Sequence, residues 1–500
     1  MNNANANAYR RTLLKGALGG AVAQGLPNLA FAQTPIRIRL EWQQFKQTSH
    51  YAPFLNAIAA MRRNTNPMDR RSLQYWANVH QNHCPHGTPY FVSWHRGYLF
   101  FFEQELRNLS GDPNLTLPYW DYFSYATLPA EFTDPAAANP LYLPRLSANV
   151  YNALDLAPFA STVYNFQRGI TNSFEPKLES APHNPVHDLI GGIMSTMRSP
   201  LDPVFYLHHA NIDRLTHAWA LPDGKGIPYS AFPYSPTNSD VYWAGSNVYS
   251  SELTIERYLT LIPTWLGYNY ASNHVPTALP PLAVTAQAGK TLLPLSPRLP
   301  PNERPRDKAH TPVPARPISA TRRALGGAAL LGFDEQSVSI RLKINKNDAD
   351  KVAGVIGSRR DRPGKSDDDT LGAIKIVIDK ATVSKLGSMG GYYYALYLNM
   401  PPVLDSRAER ERAFLGTLGA FQIAGAAHHG PAKLEFDITD LLARQDLSDY
   451  SELSLSWVRV NGDSPPVGRT IHVSELRIEL AYEAPAVQPP PIVKPVGWYR

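Results

Sequence analysis

His95-Arg96-Gly97-Tyr98-Leu99-Phe100-Phe101-Phe102-Glu103-Gln104-Glu105-Leu106 sets Tyr98, Leu99, Phe102 and Leu106 at helical spacing behind a leading histidine. Two other stretches repeat the arrangement. Leu207-His208-His209-Ala210-Asn211-Ile212-Asp213-Arg214-Leu215 opens a pattern in which Ile212, Leu215 and Trp219 form an apolar stripe. In His183-Asn184-Pro185-Val186-His187 the histidines are four apart, which on a helix puts both imidazoles on one face. With His80 and His86 upstream, the chain carries two clusters, His80/His86/His95 and His183/His187/His209. A single buried histidine is ordinarily a hydrogen-bonded core residue. Here eight of the 15 histidines fall between positions 80 and 209, in an otherwise apolar and aromatic stretch, and a solvated surface does not account for that. Imidazole holds copper, zinc or iron, and six serve two metals with three ligands each, between helices in a bundle core.

The metal is read from what is absent. A helical zinc protease site needs glutamate directly after its first histidine, where this chain has Asn184. Di-iron bundles use Glu-x-x-His spacing, which these clusters lack. All-imidazole sites with an open position suit copper, which cycles between Cu(I) and Cu(II) and reacts with O2.

Over residues 37 to 270 the chain resembles the tyrosinase and polyphenol oxidase family of type 3 copper proteins. The likeness rests on Cys84-Pro85-His86, Trp94-His95-Arg96, Leu117-Pro118-Tyr119-Trp120-Asp121, His183-Asn184-Pro185-Val186-His187 and Asp202-Pro203-Val204-Phe205-Tyr206-Leu207-His208-His209. The resemblance implies a mainly α catalytic domain, a four-helix bundle around a binuclear copper site. In it His80, His86 and His95 bind copper A, and His183, His187 and His209 bind copper B. His208 and Asp213 are then read as supporting residues, and His83 as a loop residue. Cys84, the only cysteine, stands two residues before His86, a spacing similar to that of the thioether crosslink of fungal and plant members. A buried free thiol is the plainer alternative.

The implied activity is ortho-hydroxylation of monophenols and oxidation of o-diphenols to o-quinones with O2. A monophenol has a pKa near that of tyrosine, about 10, so hydroxylation needs a base near copper B. Glu179 matches the family glutamate that holds a water there and Asn184 the asparagine that polarises it; Glu175 is the alternative to Glu179. Asp188 adds polarity beside His187. Thr196 and Met197 fall where the family places entrance residues, and since neither is a large aromatic an open mouth is expected. Two rivals remain open: an oxidase of diphenols or o-aminophenols without hydroxylation, and an O2 carrier like hemocyanin.

The 500 residues exceed one typical domain, and 43% hydrophobic with 18% charged is ordinary globular composition. One cysteine excludes an intramolecular disulfide framework. A net charge of +6, without basic blocks interleaved with aromatics, gives no sign of nucleic-acid binding. Arg10-Arg11 followed by a small apolar stretch to Ala30-Phe31-Ala32 reads as a twin-arginine signal over 1–32, with export to the periplasm or medium. That stretch is too short and too rich in glycine and alanine to anchor in a bilayer.

Beyond the catalytic domain at 33–270, eleven prolines between 276 and 317 predict a linker over 271–335, extended and open to proteases or else an ordered strap around the catalytic domain. From about 336 the apolar period becomes two, in Val338/Ile340/Leu342/Ile344, Ile374/Ile376/Ile378, Leu434/Phe436/Ile438, Leu453/Leu455/Trp457 and Leu476/Ile478/Leu480/Tyr482. These predict an all-β sandwich at 336–484, before a proline-rich tail at 485–500. The family resemblance implies that such a domain covers the copper entrance and makes the enzyme latent. A tethered side chain reaches an effective concentration on the order of millimolar, enough to compete with substrate. Tyr392, Tyr393 and Tyr394 are the candidate plug, with Phe421 behind them, and aromatic packing within a strand is the plainer alternative for the three.

Overall fold

A computed structural model describes residues 36–169, 172–220, 242–281, 305–361, 372–401, 412–427 and 430–482. The expected signal at 1–32 and the tail at 485–500 lie outside them. The first half is helical. Helix α1 (Tyr51–Arg63) buries Phe54, Ala57, Ile58 and Met61, the spacing of one helical face. Helix α2 (Leu73–His83) starts at Ser72, whose hydroxyl accepts the Gln74 N–H as an N-cap. Helix α3 (Phe91–Ser110) is the longest of the bundle and ends at Gly111 in the left-handed conformation. Helices α4 (Asn184–Ile190) and α5 (Val204–Ala220) complete it, and α5 is buried over almost its whole circumference. Strand β1 (Arg37–Arg39) pairs in parallel with β2 (Tyr268–Tyr270), joining the two ends of this domain.

The second half is a sandwich. Its strands are β3 (Arg306–Asp307), β4 (Thr311–Val313), β5 (Arg316–Pro317), β6 (Arg322–Phe333), β7 (Val338–Lys343), β8 (Ala373–Val383), β9 (Tyr392–Leu398), β10 (Phe414–Gly419), β11 (Ala432–Asp437), β12 (Glu452–Asn461) and β13 (Ile471–Ala481). One sheet runs β11-β8-β13-β6-β4, with β5 also on β6, and the other runs β10-β9-β12-β7-β3. All pairs are antiparallel except β3 with β7. The inner faces meet in an apolar core where Phe333 stacks on Trp457 at 3.9 Å between centroids.

The predicted linker over 271–335 is therefore too long. Residues 306–317 are three short strands that reach both sheets, and 322–333 is a central strand of one. Prolines at the edge strands β4 and β5 misled the reading, since proline is tolerated where no ladder N–H is needed. Glycine hid β6: a Cβ on Gly326 would lie 2.2 Å from the Lys343 carbonyl oxygen, and one on Gly327 2.3 Å from that of Leu476.

The two halves share a core. Tyr393, Ala395 and Tyr397 of β9 and Val458 and Val460 of β12 belong to the hydrophobic cluster of the helical domain. Tyr392, Tyr394, Leu396 and Leu398 face the sandwich interior instead. Every residue of β9 is buried, because alternate side chains serve different domains.

Candidate metal centre

Four helices aim histidines at one point. His80 comes from α2, His95 from α3, His187 from α4 and His209 from α5, while His86 follows α2 on a loop and His183 sits at the N-cap of α4. All but His86 are buried to 2% exposure or less. In each cluster the potential ligand atoms lie within 4.8 Å of one another. The clusters face each other, with the His95 and His209 rings 4.3 Å apart and His86 and His183 5.9 Å apart. His83 is exposed and outside both.

Four of the outer nitrogens are anchored. Nδ1 of His80 lies 2.7 Å from the Met197 carbonyl, that of His95 2.8 Å from the Phe91 carbonyl, and that of His187 2.8 Å from the Met194 carbonyl. Nδ1 of His183 lies 2.8 Å from Asn184 Oδ1. An acceptor on Nδ1 fixes the tautomer that leaves Nε2 as lone-pair donor. Burial pushes His95, His183, His187 and His209 well below the usual 6.5, and the neighbouring imidazoles push further. Neutral rings are what a metal requires. His183 Nε2 is buried without a hydrogen-bond partner, the orphaned atom expected where a cation belongs. The residues fit two copper ions.

Two side chains join the clusters beyond the six. Cys84 Sγ lies 3.5 Å from His86 Nε2 and 3.4 Å from His95 Nε2, a contact and not a bond. Burial, and then the charge of Glu179, hold its thiol well above 9. His208, read as a supporting residue, is buried and lies within ligand reach of the second cluster. Burial pushes it down to about 3. Asp213 sits behind the ligands: it accepts from Arg96 at 2.5 Å, from Tyr268 at 2.6 Å and from Tyr270 at 2.5 Å, and lies 3.5 Å from Arg39. Arg96 follows His95 and Asp213 lies one helical turn from His209, so this buried network locks α3 against α5.

Glu179 is buried and bridges the clusters. Its Oε1 accepts the Gly87 N–H at 2.7 Å, beside His86, and its Oε2 pairs with Arg168, a partner that nothing in the local sequence pattern marks. Glu175 is fully buried away from the histidines and accepts from Tyr242 and the amides of Val92 and Arg168. Burial outweighs these bonds and pushes it up to about 7.

The mouth is closed, contrary to the expectation from Thr196 and Met197. Met197 is 9% exposed, and Gly425 of helix α6 (Ala420–Ala426) packs on it and on His86. The tyrosine plug is corrected too. Tyr393 donates to the Asn152 carbonyl at 2.6 Å, Tyr394 bonds to Asp334 and Arg459, and Tyr392 lies under Arg459, so none of the three approaches the histidines. Phe421 does. Its ring stacks on His187 at 3.8 Å and 6°, and meets His86 at 5.1 Å and His183 at 5.6 Å. Asp188 holds it there, Oδ1 accepting the Phe421 N–H at 2.8 Å. Burial raises the Asp188 carboxyl to about 8 against the pull of the Phe421 and Ala420 amides.

Comparison with known proteins agrees with this geometry. Residues 56–153 and 138–221 match the common central domain of tyrosinase. The chain is 35% identical over 184 residues to a tyrosinase of Hahella sp. (strain CCB-MM4), covering 29% of this chain and 40% of that protein. It is 29% identical over 226 residues to hemocyanin A-type units Ode to Odg of Enteroctopus dofleini, covering 37% and 18%. It thus spans less than half the length of either relative. The structure of latent apple tyrosinase superposes with a TM-score of 0.51 at 20% identity, over 92% of this chain and 99% of that one, a likeness of fold across both domains.

Proposed function

We propose that this chain, a member of the tyrosinase and polyphenol oxidase family through residues 56–221, is a copper oxidase of phenols kept latent by its own β-sandwich. The observation that carries the reading is the convergence of six imidazoles in two facing, buried clusters. His80, His86 and His95 would hold one copper and His183, His187 and His209 the other. Such a pair, when bound, supplies two-electron chemistry with O2, which hydroxylates monophenols ortho to the hydroxyl and oxidises o-diphenols to o-quinones.

The protein's own groups do the rest. Nδ1 anchors at Met194, Met197, Phe91 and Asn184 keep each Nε2 turned inward. Glu179 takes the phenol proton through a water, since each of its oxygens keeps a lone pair beyond the Gly87 and Arg168 bonds, and the Asn184 amide orients that water. Cys84 would crosslink to a ring carbon of His86 during maturation, the S–H and C–H bonds giving up two electrons and two protons to O2, and the thioether would fix that ring. Phe421 fills the space a phenol ring would take, so diphenols enter only when the sandwich is displaced. Thr196 and Met197 then line the entrance. The Arg10-Arg11 motif supports export by the twin-arginine route to the periplasm or medium. No helix among the described residues is long and apolar enough to cross a membrane.

Two observations favour narrower readings. Both Glu179 oxygens already have donors, which suits an enzyme restricted to o-diphenols or o-aminophenols. Similarity to hemocyanin units, with a mouth closed to phenols, suits a reversible O2 carrier. The test takes copper-loaded protein, cut within 282–304 and freed of the sandwich, and compares catechol with tyramine in wild type, Glu179→Gln and Asn184→Ala. Expected are two coppers per chain, catechol oxidation in all three, and tyramine hydroxylation reduced on the order of 10²-fold in the variants. Catechol left unoxidised refutes the enzyme; hydroxylation unchanged in both variants refutes the base.

A further inference from the structure

The stretch from Asp188 to Met197 touches both metal clusters from outside. The Met194 carbonyl accepts Nδ1 of His187 at 2.8 Å, and the Met197 carbonyl accepts Nδ1 of His80 at 2.7 Å. One short segment therefore orients a ligand in each cluster. Beyond the end of α4 at Ile190 it carries only a single 3-10 turn, Gly192–Ser195. Its rigidity must come from its neighbours.

The neighbour is the sandwich. Ser195 Oγ lies 2.8 Å from the Ser388 carbonyl, sharing its proton with Gly192 O, and the Gly391 N–H donates to the Asp188 carbonyl at 2.6 Å. Gly391 is held in turn by the Gly462 N–H on its carbonyl at 2.9 Å. Main chain meets main chain here because side chains are missing: a Cβ on Gly390 would lie 2.7 Å from the Gly191 Cα, and one on Gly191 2.8 Å from the Met389 carbonyl oxygen. Gly191, Gly192, Gly390 and Gly391 all have φ between 60° and 80°, where a Cβ is strained whatever the space. Two glycine pairs, one from each domain, form a clasp at the start of the segment whose Met194 and Met197 carbonyls aim His187 and His80.

We propose that docking of the sandwich positions one imidazole in each copper site through Gly191–Met197, so that the sandwich governs how firmly copper is held as well as who reaches it. The proposal rests on the reading that the two clusters bind copper. Groups hydrogen-bonded behind a metal ligand typically alter affinity by about 10- to 100-fold, and here those groups are braced from another domain.

The test follows copper leaving the loaded, uncut chain to a chelator after reduction to Cu(I). Ser195→Ala removes one bond across the clasp and is expected to speed release on the order of 3- to 10-fold. Gly390→Ala prises the clasp apart and should speed it on the order of 10- to 100-fold. Tyr393→Phe is the control, removing a hydrogen bond across the same interface that goes to the Asn152 carbonyl and not to Gly191–Met197; release should stay within about twofold. Equal rates in Ser195→Ala and Tyr393→Phe, or Ser195→Ala matching wild type, would overturn the proposal, even if Gly390→Ala does not fold. Wild type that takes up no copper would instead refute the reading of the clusters and this proposal with it.

Discussion

Replacing Phe421 with alanine in the uncut chain separates plugging from docking. The ring is 1% exposed and touches three histidines. Burying a phenylalanine is worth about 1.5–3 kcal/mol, and a stacked aromatic pair adds about 0.5–1.5 kcal/mol. Together these favour the closed mouth by about 2–4 kcal/mol, roughly 30- to 1000-fold at about 1.4 kcal/mol per decade. What holds the sandwich survives the substitution: the Phe421 amide on Asp188, the two bonds between Thr417 and Ser180, and the shared core around Tyr393 and Tyr397. The vacated space is that of a phenyl ring, the ring a substrate would bring. Uncut, copper-loaded Phe421→Ala should therefore oxidise a catechol at least about 30-fold faster than uncut wild type, the lower end of that range. Once the sandwich is cut away and removed, the two proteins should agree. The assay is the initial rate of o-quinone formation with and without cleavage. Uncut Phe421→Ala that stays as inactive as wild type, while the freed catalytic domain turns over, would refute Phe421 as the plug.

Two further outcomes follow from neighbouring contacts. A Cβ on Gly419 would lie 1.9 Å from Asp188 Oδ2, so Gly419→Ala should push the start of α6 and its Phe421 away and raise catechol oxidation in the uncut chain; a folded variant at the latent rate would count against Asp188 as the anchor. Glu175 is held at about 7 against an ordinary 4.5, so the folded protein binds one proton more than the unfolded chain between those values. Stability from this group is then full below pH 4.5 and falls by roughly 3 kcal/mol as pH rises to 7. Denaturant midpoints should show that slope in wild type and lose it in Glu175→Gln; parallel curves would contradict it.

The helices and the six histidines were legible because each is announced by its own neighbours: an apolar stripe at helical spacing behind His95 and beyond His209, and the four-residue step from His183 to His187. The plug was not. Tyr392, Tyr393 and Tyr394 look conspicuous as a run, yet strand alternation sends the outer two into the sandwich core and the middle one to Asn152. Phe421 has no local signature, since its place is set by a carboxylate 233 positions earlier in the chain. Arg168 on Glu179 and the Met194 and Met197 carbonyls escaped for the same reason, being partners brought together only by the fold. In the second half, period two revealed strands rich in Ile, Leu and Val but missed β6, whose glycines are required by close backbone approach.

The three short strands at 306–317 alter what a protease can accomplish. They are stitched to both sheets of the β unit, so a cut upstream of them leaves that unit whole, still seated on its apolar seam with Tyr393, Ala395 and Tyr397. Nicking converts a tether into a binding equilibrium between two polypeptides. Under the proposed latency, inhibition then becomes a question of dilution and of how long the severed partner stays, and a freshly nicked sample should awaken gradually rather than at the moment of the cut.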